Sequence, residues 1–285
     1  MRNSVIDPIL AFSALCLIGT LFGCSSAASD PRGGALPMAG GDAGASGDSA
    51  GPNYVVVHGA WSGAWAWEPV ATELEAKGKT VTVVELPAHG TDMTPISDAT
   101  LDAYVAKVER AVDAASGPVV LVGHSLGGVI ISRVAEQEPE KIAKLVFVAG
   151  FVPKDGDSAL TLAMTDAASH LKPTVNQDQG TGDVDLTELI DVFCADCSAA
   201  EQSQLLAHYR TEPIAPLATP VHITAANWGS VAKYYVYTQQ DHAISYSSQQ
   251  TQTAAVTFVK TALLDSSHSP FQAHPDELVN ALLSF

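Results

Sequence analysis

The sequence feature that most constrains the fold is the segment Gly-His-Ser-Leu-Gly-Gly at residues 123–128. It directly follows the apolar run Val119–Val122 and precedes a helical pattern over residues 130–138. A G-x-S-x-G motif between a strand and a helix forms a tight turn that requires small residues two before and two after the serine. A chance Gly-rich turn is the alternative, but it does not account for this context. The motif therefore predicts that Ser125 is a nucleophile, exposed above a sheet at the positively polarised start of a helix.

Strand and helix patterns alternate on both sides of this motif. The strands are nearly continuous apolar runs, which is typical of a parallel sheet covered by helices on both faces. Residues from about 155 to 215 are polar and too long for an ordinary connection. We therefore expect an α/β fold over residues 54–285, with a mostly parallel sheet and a helical lid insertion at 155–215. Strands are predicted at 54–57, 80–85, 119–122, 145–149, 234–238 and 262–264, and helices at 65–77, 101–115, 130–138, 186–192, 199–209, 248–258 and 276–283.

The first 53 residues have a different composition. The apolar run at residues 9–22 is shorter than the roughly 20 residues that a membrane-spanning helix needs, and it fits the apolar core of a signal peptide. It leads into Gly23-Cys24-Ser25, which resembles the lipobox of bacterial lipoproteins, where the Cys is lipidated after cleavage. We expect a lipoprotein-type signal peptide at residues 1–23 and lipidation of Cys24. An ordinary cleaved signal and a buried helix are the alternatives.

Residues 24–53 are dominated by Gly, Ala, Ser, Asp and Pro, so they cannot bury enough apolar surface to offset the entropy of ordering. They are predicted to form a flexible tether. Together, the signal peptide and the tether predict an exported protein of the bacterial cell envelope. We expect an outer-membrane lipoprotein that faces the periplasm or the exterior.

Charge limits the partners. The chain carries 14 Lys and Arg against 31 Asp and Glu, a net charge of −17. The mean negative field repels nucleic acids and acidic membranes, so we expect no nucleic-acid partner and membrane contact only through the N-terminal lipid. A hydrophobic content of 47% supplies a sizeable core and excludes general disorder. The oligomeric state is left open.

A serine hydroxyl needs a base and an orienting carboxylate, which follow in the chain order Ser, acid, His when the nucleophile stands on this kind of turn. Asp241 follows a late strand and His268 lies in the loop after the last strand, so they are the expected acid and base. His242 adjoins the acid, and His274 precedes the final helix. Asp265, three residues before the expected base, is the alternative acid.

Two backbone N–H groups should bind the oxyanion formed during such a reaction. One is expected from Leu126, directly after the nucleophile. The other is expected from Ala60 in the loop after the first strand, with Trp61 as the alternative. Trp61, Trp65 and Trp67 can line a substrate pocket, or the latter two can pack a helix onto the sheet.

The chain has four Cys, of which Cys194 and Cys197 form a Cys-Ala-Asp-Cys segment in the predicted lid. Two ligands are too few for a structural zinc site, so no metal site is predicted there. The segment does not follow a strand in a thioredoxin-like context, which disfavours redox chemistry. A local disulfide or two packed thiols are the expected alternatives.

Taken together, these features resemble the α/β-hydrolase branch that contains plant methyl esterases, hydroxynitrile lyases and bacterial pyrethroid-hydrolase-like esterases. The resemblance covers most of residues 54–285 and implies a triad of Ser125, Asp241 and His268 with oxyanion donors at Ala60 and Leu126. Residues 193–197 are similar to the bacterial members. The resemblance to this branch is carried by residues 55–67, 86–92, 121–128, 146–153, 235–244 and 267–278.

The same resemblance separates ester hydrolysis from other reactions. Hydroxynitrile lyases have Thr at the position of Gly59 and Lys at the position of Ser269, and dehalogenases use an Asp in place of Ser125. We therefore expect a serine hydrolase that cleaves a small to medium apolar carboxylic ester through an acyl-enzyme, with no metal or organic cofactor. A homologue that binds a small ligand with slow or no turnover is the alternative, and a lyase is less favoured.

Overall fold

The computed structural model describes residues 53–285. The predicted signal peptide, Cys24 and residues 24–52 of the predicted tether lie outside this range. Asn53, the last residue assigned to the tether, instead opens the first strand. Within the range described, no helix combines the length and apolar character needed to cross a bilayer.

The strands in this range are β1 Asn53–Val57, β2 Val81–Val84, β3 Val119–His124, β4 Ile142–Val148, β5 Thr174–Asn176, β6 Thr181–Asp183, β7 Glu212–Pro213, β8 Lys233–Thr238 and β9 Lys260–Leu264. The helices are α1 Glu68–Ala76, α2 Leu101–Asp113, α3 Gly127–Gln137, α4 Ala159–Met164, α5 Leu189–Phe193, α6 Ala199–His208, α7 Ile214–Ala218, α8 Tyr246–Thr253, α9 Pro270–Ala273 and α10 Pro275–Ser284. Short 3₁₀ helices occur at Ala64–Trp67, Ile96–Asp98, Pro139–Lys141 and Trp228–Ser230.

The central sheet has the order β2-β1-β3-β4-β8-β9, and every neighbouring pair is parallel. The predicted α/β architecture with a parallel sheet is therefore confirmed. All six residues of β3 are buried, because helices cover both faces of the sheet. Since β3 lies inside the sheet, its carboxyl end presents the residues that follow it near the middle of one sheet edge.

Alternate residues of each strand belong to two separate cores. On one face, Val55 of β1 packs with α2 and α3, while on the other face Val56 packs with α1 and α10. This alternation follows from the two-residue period of a strand. Burial of each such aliphatic side chain contributes roughly 1.5–3 kcal/mol. The two cores hold the strand ends, and thus the loops after them, in place.

The elements from α4 to α7, residues 159–218, form a cap between β4 and β8. Capping boxes start two of its helices, Ser158 with Thr161 for α4 and Ser198 with Glu201 for α6. The cap also contains the antiparallel sheet β5-β6-β7, which the sequence did not predict. These strands have only two or three residues, too few to show an alternating pattern.

Cys194 and Cys197 are joined by a disulfide directly after α5. Of the two expected alternatives, a local disulfide or two packed thiols, the structure therefore shows the disulfide.

Candidate active site

Ser125 stands on the turn between β3 and α3. Its φ is +53°, in the left-handed region that non-glycine residues rarely occupy. A Cβ on Gly123 would lie 2.5 Å from the Gly127 carbonyl oxygen, and one on Gly127 would lie 2.6 Å from the Val57 carbonyl oxygen. Both positions therefore require glycine, which is the steric condition that the motif implies.

His268 and Asp241 are brought together from the loops after β9 and β8. His268 Nδ1 lies 2.7 Å from Asp241 Oδ2, which also accepts a hydrogen bond of 2.8 Å from Thr238 Oγ1. Asp241 Oδ1 accepts from the N–H groups of Ala243 and Ile244, each at 2.8 Å. These donors hold the carboxylate in one orientation, and the carboxylate in turn orients the imidazole.

Gln249 of α8 gives the carboxylate a further contact that the sequence did not indicate. Its Nε2 donates to Asp241 Oδ2 at 3.1 Å and to the Ile244 carbonyl at 2.8 Å, while its Oε1 accepts from the Thr238 N–H. A fully buried Gln with this many partners stabilises the loop after β8.

The second ring nitrogen of His268 is free. With Nδ1 facing a carboxylate, Nε2 is the atom that can accept a proton, and it has no hydrogen-bond partner among residues 53–285, Ser125 Oγ included. The imidazole packs 4.4 Å from that of His124, whose Nε2 lies 2.9 Å from the His268 carbonyl oxygen. Because His124 directly precedes Ser125, this contact ties the His268 loop to the strand that carries the candidate nucleophile.

The alternative acid and bases have other partners. Asp265 accepts a hydrogen bond from Gln240 Nε2 at 3.0 Å. His274 Nε2 lies 3.1 Å from an Asp196 oxygen, and His242 Nδ1 lies 3.1 Å from Asp191. The carboxylate that contacts the imidazole of the His268 loop is therefore Asp241.

The loop after β1 lies directly against the nucleophile turn. A Cβ on Gly59 would lie 2.8 Å from both Ser125 Cβ and His124 Nδ1. Since such contacts are shorter than real Cβ contacts, a larger residue here would displace one of these two side chains. The close approach places the N–H groups after Gly59 next to the nucleophile.

The two candidate N–H donors of this loop differ in their partners. The Trp61 N–H donates to Glu212 Oε2 at 2.7 Å. Within residues 53–285, the Ala60 and Leu126 N–H groups donate no hydrogen bond to another protein group. Ala60 and Leu126 are therefore the pair available to an oxyanion.

Glu212, from β7 of the cap, is a buried residue that the sequence did not single out. Its Oε2 accepts from the Trp61 N–H and from His89 Nε2, the latter at 2.8 Å. His89 Nδ1 lies 3.0 Å from the Pro87 carbonyl, so both ring nitrogens face oxygen acceptors. Burial lowers the pKa of His89, but the charge and hydrogen bond of Glu212 outweigh it and raise that pKa above its ordinary value. The result is a buried ion pair between the cap and the sheet domain.

Asp196, inside the disulfide loop, is a second residue that was missed. It accepts a 2.9 Å hydrogen bond from the Ser267 N–H and another from the Ser267 hydroxyl. Ser267 directly precedes His268, so the loop closed by Cys194 and Cys197 holds the segment that carries the imidazole. The Cys-Ala-Asp-Cys spacing shows that Asp196 lies in a small loop, but only the tertiary fold reveals what it contacts.

Trp61, Trp65 and Trp67, the three tryptophans predicted to line a pocket or pack a helix, have separate environments. Trp61 donates from Nε1 to the Gly182 carbonyl at 2.9 Å, and its ring lies 5.9 Å from that of Phe193, which is itself 5.7 Å from His268. Trp67 stacks 4.7 Å from Phe271 in the core, and Trp65 stacks 4.5 Å from the ring of His208 in the cap. Trp61 therefore reaches the candidate site through Phe193, and Trp67 lies near it through His124, whose ring is 6.3 Å away.

The chain belongs to the α/β hydrolase family, whose model matches residues 54–281. It is 30% identical over 245 residues to a chloroplastic protein of Arabidopsis thaliana assigned as methylesterase 11, a match that covers 81% of this chain and 63% of that protein. A second chloroplastic relative is covered over 55% of its length. The chain thus spans between about half and two thirds of these relatives.

Solved structures share the fold. Polyneuridine aldehyde esterase has a TM-score of 0.73 and 23% identity, with 82% of this chain and 98% of that chain covered. A pyrethroid hydrolase from Sphingobium faniae has a TM-score of 0.70 and 22% identity, with 82% and 96% covered. At these identities the similarity establishes the fold.

Proposed function

We propose that this chain is a serine hydrolase that cleaves a carboxylic ester of a small to medium apolar substrate through an acyl-enzyme on Ser125. The observation that carries the proposal is the imidazole of His268, held at Nδ1 by Asp241 and free at Nε2, on a loop tied to the strand before Ser125. The esterase and methylesterase names of similar proteins support the same reaction class.

In the first half-reaction, Ser125 Oγ attacks the ester carbonyl carbon while His268 Nε2 takes the hydroxyl proton. The carbonyl oxygen becomes an oxyanion, which accepts hydrogen bonds from the Ala60 and Leu126 N–H groups. The carbon–oxygen bond to the alcohol then breaks, and His268 returns the proton to the departing alcohol oxygen. The acyl group remains on Ser125.

In the second half-reaction, water attacks the acyl carbon and gives its proton to His268 Nε2. Collapse of the second oxyanion intermediate breaks the bond to Ser125 Oγ, which regains the proton from the imidazole, and releases the carboxylic acid. Asp241 stabilises the imidazolium in both halves. Removal of one oxyanion donor from such a site typically lowers kcat about 10²–10³-fold.

The burial of the site supports an apolar substrate. Ser125 is 8% exposed and His268 1% exposed; the ring of Phe193 lies 5.7 Å from that of His268, and the ring of Trp61 packs against Phe193. The low exposure of the site to bulk water strengthens the hydrogen bonds that stabilise developing charge. Apolar acyl or alcohol groups fit these surroundings better than charged ones.

The structure gives less support to a lyase. The contacts at Gly59 leave no room for the Thr that hydroxynitrile lyases carry there. Ser269 occupies the position of their Lys and supplies no cation to stabilise a departing cyanide.

The test is hydrolysis of p-nitrophenyl acetate by the purified chain, by Ser125→Ala and by Ser203→Ala as a matched control on an exposed helix of the cap. Ser125→Ala is expected to lower kcat by at least about 10⁴-fold, because the nucleophile is absent, and the control should keep the wild-type rate. Equal rates for Ser125→Ala and wild type would refute the proposal. Tight binding of an ester without turnover by wild type would favour a ligand-binding role instead. A panel of esters that varies acyl and alcohol size then defines the substrate class.

A further inference from the structure

Two imidazoles and one carboxylate converge where the cap meets the loop after β8. His170 Nδ1 lies 2.7 Å from Asp191 Oδ2, and His242 Nδ1 lies 3.1 Å from Asp191 Oδ1. One ligand atom from each of the three residues lies within 4.8 Å of the others. The proposed ester hydrolysis uses none of these side chains, because Asp241 and not its neighbour His242 contacts His268.

The three residues come from separate segments that are already held in register. His170 lies between α4 and β5, Asp191 lies in α5, and His242 directly follows Asp241. The His170 N–H donates to the His242 carbonyl at 2.8 Å, and the two imidazole centroids are 4.3 Å apart. The backbone therefore presents both imidazoles to the same carboxylate without rearrangement.

We propose that His170, Asp191 and His242 bind one Zn²⁺ ion that bridges the cap and the loop carrying Asp241. Imidazole nitrogen together with carboxylate oxygen is a ligand set that suits Zn²⁺, whereas Mg²⁺ and Ca²⁺ take mainly oxygen ligands. Three protein ligands leave a fourth tetrahedral position for water. The net charge of −17 favours the approach of a cation.

Zinc binding requires rotation of these side chains to bring the three ligand atoms to tetrahedral separations. Zinc bonds of about 2.0–2.2 Å place tetrahedral ligand atoms about 3.3 Å apart. The two imidazole nitrogens now lie 2.7 Å from Asp191 Oδ2 and 3.1 Å from Asp191 Oδ1, and the remaining separations among the three ligand atoms are at most 4.8 Å, so they must close by up to about 1.5 Å. The side chains of His170, Asp191 and His242 are 51%, 53% and 35% exposed, so they have space to turn.

Binding of zinc would link two parts of the molecule that otherwise meet here through hydrogen bonds. An ion that binds only the folded chain stabilises it in proportion to the logarithm of its concentration. At a free Zn²⁺ concentration a hundred times Kd, the thermal midpoint is expected to rise by about 5–10 °C for a domain of this size.

The experiment is equilibrium dialysis of the purified full chain, without a histidine tag, against Zn²⁺, with bound metal measured directly. The variants are His170→Ala with His242→Ala, and the conservative Asp191→Asn. His222→Ala is the matched control, because His222 is 81% exposed and pairs with a single carboxylate, Asp155, at 3.2 Å. Every variant keeps the Cys residues of the first 52 positions, so binding by those thiols cancels in the comparison.

Wild type and His222→Ala should bind one equivalent more than the double variant, and Asp191→Asn should bind that ion at least about tenfold more weakly. Only chains that bind the ion should show the rise in thermal midpoint. Equal zinc content in wild type and the double variant, or no bound ion in wild type, overturns the proposal. Asp191→Asn preserves side-chain size, so it decides the question if the double variant does not fold.

Discussion

Replacement of Glu212 tests whether the cap holds the oxyanion loop in place. Glu212→Ala removes the acceptor of the Trp61 N–H and the partner of His89, both of which are buried. An unpaired buried N–H costs about 1–3 kcal/mol, and breaking a buried ion pair costs about 3–5 kcal/mol. Because the same carboxylate contacts both partners, the cost of the unpaired N–H and the cost of the broken ion pair are not added together. We expect the free energy of unfolding to fall by about 3–5 kcal/mol.

Glu212→Gln is the matched control. A Gln oxygen in the position of Oε2 can accept from both the Trp61 N–H and His89 Nε2, so only the charge is lost and the loss should be only about 1–2 kcal/mol. Urea unfolding followed by far-UV circular dichroism measures both variants. The midpoint should fall by about 1–2 M for Ala and by much less for Gln. Equal midpoints for wild type and Ala, or equal losses for Ala and Gln, would refute this account.

The same pair predicts a pH dependence. The pKa of His89 in the folded chain lies above its ordinary value of 6.5, because the attraction of Glu212 exceeds the effect of burial. Its contribution to stability is therefore fully present below pH 6.5 and is lost as pH rises through the raised folded pKa. Burial lowers the pKa values of the His58 and His124 imidazoles, so these two groups reduce the stability of the fold only below pH 6.5. Between pH 6.5 and about 8, the wild type should lose stability as pH rises, and Glu212→Gln should not; above this range the pKa of Lys233, lowered by burial to about 8, acts in the opposite direction in both chains.

Glu212→Ala should also affect catalysis, because the Trp61 amide is covalently joined to Ala60. Displacement of the proposed oxyanion donor should lower kcat about 10–100-fold, with a smaller change in KM. Steady-state hydrolysis of p-nitrophenyl acetate measures both constants. An unchanged kcat in a variant that remains folded would show that Glu212 stabilises the cap without positioning the donor.

Three further changes are predicted. Asp196→Ala should lower kcat about tenfold, because it frees Ser267 beside the proposed base. Asp196→Asn should recover part of this loss, and a kcat of Asp196→Ala equal to that of the wild type would contradict the prediction. Gly59→Ala should lower kcat/KM at least about tenfold, because the new Cβ would lie 2.8 Å from Ser125 Cβ, and ester hydrolysis at the wild-type rate would argue against the close contact. Cys24→Ser should abolish palmitate labelling in bacterial cells, and an unlabelled wild type would rule out lipidation.

The parts of the fold predictable from sequence are those that depend on near neighbours. The apolar runs and the small residues around Ser125 predict strands and a sharp turn, because sterics and burial within a few residues determine both. Asp241 and His268 could be proposed because each follows a predicted strand, and parallel strands end at the same sheet edge. The short strands of the cap escaped prediction, since two or three residues carry no period.

Contacts between distant residues were decided by the tertiary structure. Trp61 and Glu212 are 151 positions apart, and Asp196 and Ser267 are 71 apart. No local pattern marks either pair, because each contact exists only once the cap has packed onto the sheet domain. The sequence by itself determined the parallel sheet and the strand-to-helix turn beneath Ser125, through short-range sterics and the burial of apolar strands. The packing of elements far apart in the chain decided which carboxylate contacts which imidazole and which N–H groups stay unpaired.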